Sequence, residues 1–220
     1  MTRPPHPPVF APLGDAAILV TLGSSVDRET IRRVHACVAG VRDAALSGVL
    51  DVVPAYSSFA VHFDAHAADA AAIAERLPDI VKAFIQAEPE ESAGTVVTIP
   101  VRYDGADLPA VAGATGLTIE EVIERHLAAE YFVYMLGFAP GFAYLGDLDP
   151  TLRLPRLKVP RTSVPRGAVA IAGAQTAVYP HETPGGWHLI GSTVLAMFDP
   201  TRDPPALLHA GHRVRFERVT

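Results

Sequence analysis

The residues best suited to chemistry lie between Tyr134 and Gly191, where aromatic, cationic and amide side chains alternate with glycine and proline. Phe138, Phe142 and Tyr144 frame the Pro140-Gly141 dipeptide. That pattern suits turn packing or the aromatic wall of a pocket, with Gly141 letting the backbone approach a ligand closely. Arg161 and Arg166 each follow a proline. Two guanidiniums braced in this way make a preformed site for a carboxylate or phosphoryl group, against the simpler reading of solvated surface charge. Gln175 and Thr176 follow Gly173 and offer amide and hydroxyl donors at a strand edge, unless they only satisfy loop backbone groups. Trp187, the only tryptophan, stands beside the Pro184-Gly185-Gly186 turn as core or as a lid.

Acid–base candidates are fewer. His126 falls on the apolar stripe of a predicted helix, as a core histidine with a hydrogen-bond partner or as a buried imidazole able to move a proton. His181, Glu182 and Asp147 are placed for proton transfer or are solvated loop charge. His209 and His212 flank Gly211 in a turn, and no histidine pairs with carboxylates or Cys37 at ligand spacing, so no metal is expected. The chain carries no nucleophile elbow, no phosphate-binding P-loop, no H-E-x-x-H and no dinucleotide fingerprint.

The elements that must position these side chains are mostly strands. Eight glycines and seven prolines within the 58 residues of Tyr134–Gly191 exclude a helix bundle. Short β-type runs recur within and around this stretch, at Tyr131–Leu136, Val169–Ala172, Thr176–Tyr179, Trp187–Ile190, Val194–Phe198 and Val214–Val219. With the strand Thr95–Val101, they predict a closed or nearly closed β-barrel over 95–220. Asp107 is placed to cap a short helix, and Thr118 with Glu121 forms a capping box for a second, whose inner stripe is Ile119, Val122, Ile123, His126 and Leu127.

Residues 1–90 read differently. After a proline-rich lead-in over residues 1–10, the order is strand (Ala16–Leu22), helix capped by Asp27, strands (Leu50–Val53 and Ser58–Phe63), then an alanine-rich helix from His66 that Pro78 should kink or divide. This is a small α+β domain of the split βαβ type. Glu88–Gly94 is the linker candidate. The net charge of −6 argues against a nucleic-acid partner, and no apolar run reaches the ~20 residues of a membrane helix. The N-terminus lacks the apolar core of a secretory signal, and the lone Cys37 excludes an internal disulfide, so a cytoplasmic location is expected.

Taken together, the chain resembles the KipI/PxpB family, also described as allophanate hydrolase subunit 1-like or carboxyltransferase subdomain C/D proteins. The matching pieces include Pro12–Asp15, Val52–Tyr56, Leu136–Leu145, Pro160-Arg161, Val164-Pro165, Ile171–Thr176, Tyr179-Pro180 and Pro184–Trp187, in the family's order. The resemblance implies an α+β domain followed by a cyclophilin-like barrel, and a pocket that includes Phe138, Gly141, Phe142, Tyr144, Arg161, Gln175, Tyr179 and Trp187. It departs from the family at Arg166, at Ala177 and at Asp147, where the family favours glycine at the last two. It further implies the B component of an ATP-dependent 5-oxoprolinase, which opens 5-oxo-L-proline to L-glutamate together with A and C subunits. With no nucleotide motif here, ATP would be held largely by a partner, and this chain alone would be inactive. Relatives alternatively inhibit a sporulation histidine kinase or are fused into biotin-dependent urea carboxylases. This chain has no Met-Lys-Met biotin attachment site, so a biotin carrier would be another chain.

Overall fold

The computed structural model describes residues 7–85 and 96–220. The chain divides into two compact units, residues 1–93 and 94–220. The expected linker at Glu88–Gly94 lies outside the described residues.

In the first unit, β1 (Val9–Pro12), β2 (Ala17–Thr21), α1 (Arg28–Asp43), β3 (Val49–Pro54), β4 (Ser58–Phe63) and α2 (Ala70–Phe84) follow one another. The sheet order is β1-β2-β4-β3 with antiparallel neighbours, so β4 is inserted between the parallel pair β2 and β3 that α1 connects. This is the split βαβ arrangement. Asp27 caps α1 by accepting from the Thr30 amide at 2.8 Å. Val34, Val38 and Val41 recur at helical spacing and pack with Val61 and Phe63 of β4 and Leu77 of α2. Two features differ from expectation. Val9 and Phe10 belong to β1, not to a lead-in, and α2 runs through Pro78 without division.

The second unit begins with β5 (Val96–Val101), α3 (Leu108–Thr115), α4 (Ile119–Ala128), β6 (Tyr131–Leu136) and β7 (Ala143–Gly146). It continues with β8 (Arg161–Val164), β9 (Ala168–Ala172), β10 (Gln175–Val178), β11 (Thr183–Gly185), β12 (His188–Ser192) and β13 (Arg213–Arg218). Seven strands form one sheet in the order β12-β9-β10-β7-β6-β13-β5, and β8 pairs with β11 separately. Beyond β5, Arg102 and Ser192 exchange backbone hydrogen bonds of 2.8 and 2.9 Å, which brings the two ends of the sheet together into a nearly closed barrel. Ile99, Val101, Tyr131, Val133, Leu145, Val169, Ile171, Val214 and Phe216 fill its interior.

The capping box of α4 forms, with the Thr118 amide donating to Glu121 at 2.7 Å and the Glu121 amide to Thr118 Oγ1 at 3.2 Å. Ile119, expected on the inner stripe, is exposed at the first turn. Asp107 makes no side-chain cap on α3. Residues 194–198 are not a strand, because Val194 is fully exposed and only Phe198 forms a bridge, to Ala206. Strands β7, β8 and β11 escape the pattern because each is four residues or fewer.

The seam closes because glycines leave room for it. A methyl group on Gly191 would sit 2.5 Å from the Arg102 carbonyl oxygen, and one on Gly105 2.3 Å from the Ile190 carbonyl carbon. Both obstacles are backbone, so neither can swing aside. Gly105→Ala is expected to cost about 1–3 kcal/mol of unfolding free energy. Gly113→Ala in α3, whose methyl meets nothing within 4 Å, is expected to gain about 0.5–1 kcal/mol. Urea midpoints of the two variants measure both; equal effects would contradict the seam.

Candidate functional site

Strand β9 is buried along its whole length. Val169 and Ile171 point into the barrel, while Ala168, Ala170 and Ala172 point to the outer face, where a second cluster covers them. Ala177 extends this floor of methyl groups from β10. Small side chains there leave depth for large ones above. Phe142, Tyr179 and Trp187 fill it and are nearly inaccessible, with Val164 of β8 beside them.

The rings interlock edge to face. Phe142 contacts Phe138 at 5.2 Å between centroids, Tyr144 at 5.0 Å, Tyr179 at 5.3 Å and Trp187 at 5.9 Å. Tyr179 also occupies the space above Gly185, where an added methyl would lie 2.3 Å from its hydroxyl. Burial raises the Tyr179 phenol above its ordinary value, opposed by a backbone hydrogen bond from Trp187 and by Arg156. Burial also raises Tyr144, again opposed by Arg156. Gln175 shares the outward row of β10 with Ala177 and Tyr179, next to Gly146 of β7.

Two residues of this face sit in left-handed backbone conformations. Phe138 has φ 69° and Asp147 φ 71°. At Asp147 this is a conformation that glycine adopts without steric cost, and the Asp147 carboxylate accepts the Tyr134 hydroxyl at 2.7 Å. Phe138 is 63% exposed, so a strained backbone holds an aromatic ring out into solvent. Gly141 shares this loop at φ 79°.

The cations separate. Arg161 donates to Asp107 Oδ1 at 2.5 Å and to the Trp187 carbonyl at 3.3 Å, while Asp107 Oδ2 accepts the Leu189 amide at 2.7 Å. Arg161 is thus already neutralised, and it holds the β8 edge to the turn that carries Trp187. Arg166 is exposed in the β8–β9 turn, where its charge helps to hold the Asp199 carboxyl low behind the larger hydrogen-bond contributions of Thr201. The two arginines expected to share an anion are therefore not set around one site: Arg161 is bound by Asp107, and Arg166 is exposed in the turn. Arg156, which is not among the residues expected at the site, lies with its guanidinium carbon 5.8 Å from the Trp187 ring centroid. A signal for it is present in the sequence: Pro155-Arg156 repeats the Pro160-Arg161 and Pro165-Arg166 dipeptides five residues earlier.

Thr176 and His126 belong to the other side of the sheet. His126 is wholly buried, with Nδ1 2.7 Å from the Tyr103 hydroxyl and Nε2 3.0 Å from Thr176 Oγ1. Because Thr176 donates its own hydrogen to the Ala170 carbonyl at 3.0 Å, it accepts from His126 Nε2–H, and Nδ1 accepts from Tyr103. The chain of bonds has no place for a second proton, and burial lowers the His126 pKa to about 3. His126 is a neutral core residue without access to the outer face, and Thr176 does not join Gln175 there. Glu182 is exposed and accepts the Ser163 hydroxyl at 2.8 Å, and His181 packs on Phe198.

Among the described residues, no group of three or more His, Cys, Asp or Glu is placed to hold a metal ion, and no helix is long and apolar enough to cross a membrane. The first unit contains a cavity of about 390 Å³ lined by Phe10, Ile18, Phe63 and alanines of α2, with Asp15 as its one ionisable side chain. The outer face of the barrel is the richer candidate, because it combines aromatic, amide and cationic groups.

Since His126 is neutral when folded, its contribution to stability is complete above its unfolded value near 6.5 and is lost as pH falls toward about 3. The slope is on the order of 1.4 kcal/mol per pH unit. Urea titrations across this window are expected to show a shallower pH dependence for His126→Gln than for the natural chain. Parallel curves would refute the assigned proton position.

Residues 8–208 match the family described as carboxyltransferase domain, subdomain C and D. A protein from Bacillus subtilis (strain 168), named as the B component of 5-oxoprolinase, is 40% identical over 94% of this chain and 91% of its own length. The crystal structure of TTHA0988 is 41% identical with a TM-score of 0.83, covering 93% of this chain and 40% of that one. The K. lactis urea amidolyase is similar in fold, with a TM-score of 0.77 at 21% identity over 97% of this chain and 15% of its own. The chain belongs to the carboxyltransferase subdomain C and D family.

Proposed function

We propose that this protein is the B component of an ATP-dependent 5-oxoprolinase, acting with A and C subunits to open the lactam of 5-oxo-L-proline to L-glutamate. The observation that carries the proposal is the outer face of the barrel: an aromatic surface on a floor of alanines, rimmed by an amide and by guanidinium groups. Relatives of nearly the same length that bear the name of this 5-oxoprolinase component support it.

The chemistry asks for such a surface. A lactam carbonyl is a poor electrophile, and phosphoryl transfer from ATP to its oxygen, with loss of ADP, makes the carbon open to water. One water adds to that carbon, the ring C–N bond breaks and the nitrogen leaves as a protonated amine; a second water then hydrolyses the resulting γ-glutamyl phosphate to L-glutamate and phosphate. Phe138 and Tyr144 present ring faces against which the methylenes of the lactam pack and from which water is excluded. Gln175 lies on the same row to orient the ring amide. Nucleotide binding falls to a partner, and the isolated chain is expected to be inert.

Reconstitution with A and C subunits is expected to give ATP-dependent glutamate release only when all three are present. Absence of release from the complete set would overturn the assignment. Retention of a histidine-kinase dimerisation domain by the isolated chain is what the inhibitor alternative would require instead.

Phe138→Gly separates function from folding. Relief of the left-handed strain offsets the lost ring contact, so thermal stability should stay within about 1 kcal/mol of the natural protein. The kcat/KM of the complex should fall roughly tenfold, equal to about 1.4 kcal/mol of transition-state stabilisation. Unchanged turnover would remove Phe138 from the site.

A further inference from the structure

Building on the 5-oxoprolinase reading, we infer that Arg156 is the carboxylate anchor of the outer face and that it selects cyclic amides bearing a carboxylate over neutral ones. Three proline–arginine pairs occur in succession, and the fold gives each a different fate. Arg161 is neutralised by Asp107, and Arg166 is exposed in the β8–β9 turn, away from the Trp187 ring that Arg156 meets. No carboxylate among the described residues pairs with Arg156. Its positive charge is therefore available at the aromatic surface.

The backbone on either side of Arg156 is also held in place. The Leu157 amide donates to the Gly186 carbonyl at 2.7 Å, and His188 Nε2–H donates to the Pro155 carbonyl at 2.9 Å. One residue earlier, the Leu154 carbonyl accepts the Gly173 amide at 2.7 Å. The segment is thus strapped to the turn after β9, to Gly186 just after β11 and to β12, with Arg156 over Trp187. Less conformational freedom remains to be lost when a ligand binds.

A guanidinium lying against an indole keeps its N–H groups in its own plane, free to meet both oxygens of a carboxylate. The Trp187 ring that carries Arg156 also meets Tyr144, at 6.0 Å between centroids, so the guanidinium and the Tyr144 ring flank the same indole. Tyr144 is the partly open ring of the cluster. A flat five-membered ring lying on Tyr144 and Phe138 can direct a carboxylate substituent to Arg156. A lactam without that substituent leaves the cation unpaired and forfeits the charge-assisted bonds.

Trp187 is the only tryptophan, so its emission reports on whatever occupies Arg156. Titrating the purified chain with 5-oxo-L-proline should give a saturable change, absent with 2-pyrrolidinone, the same ring without its carboxylate. Arg156→Gln should abolish the change and Arg156→Lys should restore part of it. In the assembled complex, Arg156→Gln should raise KM for 5-oxo-L-proline by about tenfold or more while kcat moves by less than about threefold. No emission response from the natural chain, or an equal response to both lactams, overturns the anchor. So does a complex that releases glutamate with an unaltered KM in the Arg156→Gln variant, and in that case the oxoprolinase reading survives. If the complex is inert but Trp187 still answers the carboxylated lactam through Arg156, the anchor holds and the reaction assignment falls.

Discussion

Aromatic rings of Phe142, Tyr179 and Trp187 rest on the methyl groups of Ala168, Ala170, Ala172 and Ala177, and the outer face of the barrel is built on that contact. The same strand turns Val169 and Ile171 inward. A strand buried on both faces cannot shift its register by one residue without driving branched side chains into the aromatic layer and methyl groups into the barrel. The wall of the core is thereby also the floor of the proposed site. Packing inside the barrel and placement of the rings outside it are one constraint seen from two sides.

Charge is distributed with the same economy. Asp107 binds Arg161 and the Leu189 amide together, linking the start of α3, the β8 edge and the seam strand β12. A largely buried carboxylate needs such partners, because removing either would strand the other in a poorly hydrated place. Arg161 therefore serves the scaffold. Arg156, held by backbone contacts and an indole ring instead of a carboxylate, keeps its charge for an outside group.

The interior polar chain from Tyr103 through His126 and Thr176 to the Ala170 carbonyl ends on the same strand β9. Each donor in it has one acceptor, so a histidine is buried without charge and without an unsatisfied hydrogen. Strain is kept to the outer loops. Phe138 and Asp147 hold left-handed conformations at the two ends of β7, where a ring is presented and a tyrosine hydroxyl is received.

Local chemistry alone announced much of this. The capping box of Thr118 and Glu121, the Asp27 cap, the alternation through Phe59, Val61 and Phe63, and the apolar run of β9 are visible because they depend on neighbours within a few residues. The aromatic and glycine pattern from Phe138 to Trp187 likewise showed which ring types would meet. Long-range geometry decided the remainder. Whether Asp107 capped a helix or bound Arg161, and whether Thr176 faced Gln175's side or His126's, turned on strand pairings between residues far apart in sequence. Arg156 and Arg161 have the same proline before them, and only the packed sheet gave one a carboxylate and the other a tryptophan. Sequence determines which groups are available, whereas the electrostatic partner of each is set by distances that exist only once the barrel has closed.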